Sequence, residues 1–142
     1  MIPDPDLEAR LAALEPPYRS KGEAQVGRLL DRYGVPFFYE QPILVLDDGG
    51  HRLLHPDFTL PTYNGLILEY AGMPDKPEYM RKLHYKQRVY HDNAIPARFI
   101  YPQDLTGPSW PERLYERISQ EGYRALGATA PTSGHGASQK YA

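Results

Sequence analysis

His55-Pro56-Asp57-Phe58-Thr59-Leu60-Pro61-Thr62-Tyr63-Asn64-Gly65-Leu66-Ile67-Leu68-Glu69-Tyr70-Ala71 is the stretch on which the fold turns. Two extended, apolar-rich runs flank a turn at Pro61 to Asn64. Alternation along the first run sends Leu54, Pro56, Phe58 and Leu60 to one side, and Leu53, His55, Asp57 and Thr59 to the other. Along the second it separates Leu66, Leu68 and Tyr70 from Ile67, Glu69 and Ala71. A turn centred on Tyr63 sets Asp57 opposite Glu69 on one face, with Cβ atoms roughly 5 Å apart. Two carboxylates so placed repel unless a positive charge lies between them. A hard divalent cation such as Mg²⁺, which takes oxygen ligands, satisfies both.

Three helix starts lie around this pair, each a capping box in which a polar cap precedes a glutamate by three positions: Ser20 with Glu23, Asp75 with Glu78, and Ser109 with Glu112. The first helix continues through Val26, Leu29, Leu30 and Tyr33 at helical spacing, and Gly34 and Pro36 end it. The second runs to about Asn93 and the third to about Leu126. Leu7 to Leu14 reads as a short N-terminal helix. Between the first two helices, Phe37 to Leu46 and Leu53 to Leu60 read as a hairpin about Asp47-Asp48-Gly49-Gly50. Gly65 to Ala71 and Arg98 to Tyr101 complete the strands. The expected order is therefore α, β-β-β, α, β, α. It makes an α/β fold of three layers in which a mixed sheet, led by a meander, carries helices on both faces. Residues 1–19 form the entry helix and linker, 20–126 the domain, and 127–142 a small, polar tail expected to be disordered.

The 142 residues and 41% hydrophobic content suit one core. No apolar run approaches the roughly 18 residues that span a bilayer, and no basic-then-apolar leader opens the sequence, so a soluble, cytoplasmic protein is expected. The absence of cysteine excludes disulfides, thiolate metal sites and cysteine nucleophiles. A net charge of -2 argues against a nucleic-acid binder, but its distribution tempers that. Between Lys76 and Arg98 six basic residues face two acidic ones, giving this segment +4 and the remainder -6.

On the second helix the apolar stripe is Tyr79, Leu83 and Tyr90, and Lys86 falls within it. A lysine on the sheet side needs an acidic partner or a bound phosphate. Lys82 lies at the margin. Glu23 shares the inward face of its own helix with Val26 and Leu30. Structural roles compete with catalytic ones: Asp57 as a turn cap, Glu69 paired to a surface arginine, Lys86 snorkelling over apolar surface, Glu23 as a capping residue only. Gln87 and Tyr90 read as helix surface and core packing, and Trp110 and the tyrosines as packing more than base stacking, with a nucleotide contact as the alternative for Tyr70 or Tyr79. His51, His55, His84 and His91 sit at the fringe of different elements and do not suggest a zinc site. A glycosidase-type pair from Asp57 and Glu69 leaves the lysine without a role.

This succession resembles the PD-(D/E)XK nuclease superfamily over about Ser20 to Tyr101. It comprises an inward Glu23, then His55-Pro56-Asp57-Phe58-Thr59, Leu66-Ile67-Leu68-Glu69-Tyr70-Ala71-Gly72-Met73, and Tyr79 with Lys86-x-x-x-Tyr90. The resemblance implies a restriction-endonuclease-like fold and hydrolysis of DNA phosphodiester bonds with Mg²⁺ or Mn²⁺, in repair, restriction, recombination or mobile-element work. It implies that Asp57, Glu69 and the backbone carbonyl of Tyr70 ligate the metal. Lys86 then positions the attacking water, and Glu23 binds a second metal or tethers a metal-bound water. It also implies partners: DNA, and a second copy or a helicase, transposase or methylase. One position departs. The usual lysine two residues after the second acid is Ala71 here, so either Lys86 supplies that charge from the helix, as in one branch of the superfamily, or the domain is an inactive nucleic-acid or protein binding module.

Overall fold

Ser20 starts the first helix, α1 (Lys21–Arg32), because its hydroxyl accepts the Glu23 amide at 3.1 Å. Val26, Leu29 and Leu30 bury one face of α1, and Gly34 at φ 66° turns the chain away. The computed structural model describes residue 6 and residues 14–125. The expected helix at Leu7 to Leu14 and the tail from residue 127 thus fall almost entirely outside the described residues.

The expected strand at Phe37 to Leu46 is divided. Glu40 takes a left-handed φ of 55° and Pro42 lacks an amide, so β1 (Phe38–Tyr39) is separated from β2 (Ile43–Asp47). The run Leu53 to Leu60 is likewise interrupted at His55-Pro56-Asp57, giving β3 (Gly50–Leu54) and β4 (Phe58–Leu60). The Asp48-Gly49 turn, with φ of 49° and 77°, joins β2 to β3 as expected, yet that hairpin forms its own two-stranded sheet.

β5 (Leu66–Tyr70) pairs antiparallel with β4, and the helix α2 (Pro77–Asp92) then crosses over to β6 (Ala97–Ile100), which runs parallel to β5. The main sheet has the order β1-β4-β5-β6. The start of α2 corrects the sequence expectation. Lys76, not Asp75, is the cap and makes no side-chain hydrogen bond, because Pro77, whose fixed φ and missing N–H suit the first helical position, sets the start. Helix α3 (Trp110–Ala125) begins just after Ser109, whose hydroxyl accepts from the Arg113 guanidinium at 3.1 Å.

Phe58, Leu60, Leu66, Leu68 and Ile100 of the sheet pack with Val26 and Leu30 of α1 and with Leu114 and Ile118 of α3 into one apolar core. Tyr33 and Tyr115 stack at its margin with centroids 4.0 Å apart. The opposite face of β5 meets α2 through Glu69. The β2–β3 hairpin rests on the flank of α2. There the Asn93 amide closes two 2.9 Å bonds with the Leu46 backbone, Val45 is buried, and Leu44, Leu46 and Leu53 stay exposed. The architecture is α/β, with a mixed four-stranded sheet and three helices among the described residues. No described helix is long and apolar enough to cross a membrane.

Candidate active site

The β4–β5 register pairs Phe58 with Leu68, Thr59 with Ile67 and Leu60 with Leu66. It is centred on Tyr63, as the turn predicts. One step back along it brings Asp57 beside Glu69, and each carboxylate is tied to the other residue's strand. The Asp57 amide donates to Glu69 Oε1 at 2.8 Å, and the Tyr70 amide donates to Asp57 Oδ2 at 2.7 Å. Asp57 therefore does not cap the turn before Pro61.

Glu69 is 2% exposed, which excludes a surface pairing. Its Oε2 accepts from the Tyr90 hydroxyl at 3.0 Å and lies 3.0 Å from Lys86 Nζ. Lys86 and Tyr90 stand four residues apart on α2, so both reach one carboxylate. The lysine side chain keeps 38% of its surface exposed, so its ammonium sits at the wall of a cavity and not in the core. Glu23, Asp57, Glu69, Tyr70, Lys82 and Lys86 help line that cavity, of about 190 Å³. Larger recesses of about 690 Å³ beside Tyr18 and about 470 Å³ beside Phe99 bring no two carboxylates together.

Burial, then the neighbouring Glu69 charge, pushes the Asp57 carboxyl up to about 7. Burial works to lower the Lys86 ammonium, but the Glu69 carboxylate and its hydrogen bond outweigh that and hold it above its ordinary value. Lys86 is thus a fixed cation at neutral pH.

Glu23 is 8% exposed and faces the same cavity, but its carboxylate is engaged elsewhere. It accepts the Tyr39 hydroxyl, and Ser20 Oγ lies 3.4 Å away. Burial and this bond push the Tyr39 hydroxyl well above its usual range. Glu23 therefore gives its amide to the Ser20 cap, while its carboxylate, bonded to the Tyr39 and Ser20 hydroxyls and not closing the expected capping box, forms a wall of the cavity. Ala71 is fully buried and donates its amide to the Ile100 carbonyl at 2.7 Å.

Three tyrosine hydroxyls belong to the site that sequence reasoning left to packing. Tyr90 holds Glu69, Tyr39 holds Glu23, and Tyr79 accepts the Gly72 amide and donates to the Tyr70 carbonyl, both at 3.0 Å. The signal for Tyr90 lay in its four-residue spacing from Lys86, and that for Tyr79 in its place on the same helix stripe; Tyr39, on β1, left none. Gly22 admits the Tyr70 ring, since a Cβ there would lie 2.0 Å from it.

The oxygens fit a hard divalent cation. Asp57 Oδ1 has no hydrogen-bond partner among the described residues, Glu69 Oε1 accepts one bond, and the Tyr70 carbonyl accepts one from Tyr79, leaving each with a free lone pair. Glu69 Oε2 is taken by Tyr90 and Lys86. Among the described residues no group of three or more His, Cys, Asp or Glu is placed to hold a metal, so such a set relies on two carboxylates and a carbonyl, and the histidines contribute nothing to it. No known protein family matches the sequence, and a search of curated proteins finds no match.

Proposed function

We propose that the chain is a metal-dependent nuclease of the PD-(D/E)XK kind that hydrolyses phosphodiester bonds in DNA with Mg²⁺ or Mn²⁺. The observation that carries the reading is Lys86 Nζ at 3.0 Å from Glu69, with Asp57, the residue before β4, lining the same cavity. With the β2–β3 hairpin set aside, the chain runs α1, β1, β4, β5, α2, β6, α3, an order that supports the restriction-endonuclease-like reading. Asp57, Glu69 and the Tyr70 carbonyl would hold the cation, which when bound would supply Lewis-acid stabilisation of charge on the phosphate.

The chain's own groups do the rest. Lys86, held as an ammonium, offsets charge on the scissile phosphate and orients the attacking water by donating to it; it does not act as a base. Tyr90 fixes Glu69 so that one oxygen faces the cavity, and Tyr79 fixes the Tyr70 carbonyl. Glu23 closes the cavity wall.

The test is cleavage of plasmid and branched DNA by wild type and Asp57→Ala, with Mg²⁺, Mn²⁺ or a chelator. Metal-dependent cutting by wild type and none by the variant is expected. A second reading, a binding module that keeps the fold without the chemistry, is favoured by Ala71 and by the bonds Glu69 already accepts. Wild type that binds DNA and cuts none of these substrates would establish it.

A further inference from the structure

On the flank of α2, two guanidiniums lie over the Tyr85 ring. Arg52 of β3 and Arg88 of α2 each place Cζ 5.3 Å from its centroid. The Tyr85 hydroxyl donates to Asp47 Oδ2 at 2.6 Å, and the Asp47 side chain is only 10% exposed. Both guanidiniums lean on this carboxylate, but at 3.8 Å, beyond hydrogen-bond length. Arg88 also passes Asp92 at 3.9 Å, an exposed and weakly coupled pair.

Neither guanidinium makes a hydrogen bond among the described residues, and they are 56% and 50% exposed. Arg113 and Arg117 differ. Arg113 donates to Ser109 and to the Thr106 carbonyl, and Arg117 to Asp104. The ring therefore orients two forks without consuming their donors, while the half-buried Asp47 holds two like charges close together. A fork of free N–H groups with a fixed plane matches the oxygens of a phosphate.

We propose that Arg52 and Arg88, braced by Tyr85 and Asp47, form a clamp for a backbone phosphate of a DNA strand. The identity of that strand rests on the nuclease reading; recognition of the anion does not. Arg88 is two residues from Lys86 on α2, about 200° round the helix, so the clamp stands on the flank of α2 and not on the face that lines the cavity. The segment that carries Arg88 bears the +4 excess of the molecule.

The experiment is fluorescence anisotropy of a short labelled DNA duplex in chelator, with the salt concentration varied. It compares wild type with Arg52→Ala/Arg88→Ala, and with Arg52→Gln/Arg88→Gln should the alanine pair fail to fold. The clamp predicts at least about tenfold weaker binding, and a log-log salt slope reduced by about 0.9 for each guanidinium engaged. Unchanged affinity and slope in a folded variant overturns it. Saturable binding of inorganic phosphate that needs both arginines, with no duplex bound by wild type, would also overturn it, in favour of a free-phosphate site. Wild type that never cuts while the variants lose duplex binding leaves the clamp standing and the nuclease reading fallen. Wild type that cuts while the variants bind and cut equally gives the reverse.

Discussion

Leu66 and Leu68 point from one face of β5 into the apolar core beneath α1 and α3, whereas Glu69 points from the other toward α2, where it meets Lys86, Tyr90 and Asp57. The first face removes side chains from water without directional demands, and its contribution scales with buried area. The second gathers two carboxylates, a lysine and buried hydroxyls, each acceptable only because the others are present. The difference separates what holds the fold from what the fold holds in place, within a single five-residue strand.

Breaking the apolar face has the largest expected effect on stability. Leu68→Ala, at a fully buried site, should cost about 2–5 kcal/mol in urea unfolding. On the polar face the sign reverses at high pH. Asp57 has a folded pKa raised to about 7, so its protonated form is the one the fold favours. That contribution is complete below the ordinary carboxylate range and is lost as pH rises through about 7. In chelator, Asp57→Asn should therefore melt about 4 °C or more above wild type at pH 8, and the gap should close at pH 4. Equal melting points at both values would show that the carboxylate pair is not strained.

Tyr90→Phe sharpens the contrast further. The ring stays in place and one hydrogen bond to Glu69 is lost, so urea unfolding should register a loss of about 1–2 kcal/mol. The fall in DNA cleavage should be proportionally larger, since Glu69 then loses the partner that orients it.

The pairing of Asp57 with Glu69 was legible because a period of two and a turn centred on Tyr63 leave one register, and Asn64 and Gly65, with φ of 60° and 73°, supply that turn. Lys86 was legible as a charge within an apolar stripe. The division of the long strands was not read, although Pro42 and Pro56 marked both places. A left-handed Glu40 is a conformation that tertiary contacts impose and propensity does not suggest. The tyrosine hydroxyls were the least legible, since a buried tyrosine reads as packing until its polar tip is placed.

The central claim is that the charge missing at Ala71 is supplied by Lys86. Single-turnover cleavage of DNA with Mg²⁺, comparing wild type with Lys86→Ala at saturating protein, tests it most directly. The account predicts a rate lower by about 10²–10³-fold with DNA binding retained. A Lys86→Ala protein that cuts at the wild-type rate would contradict it.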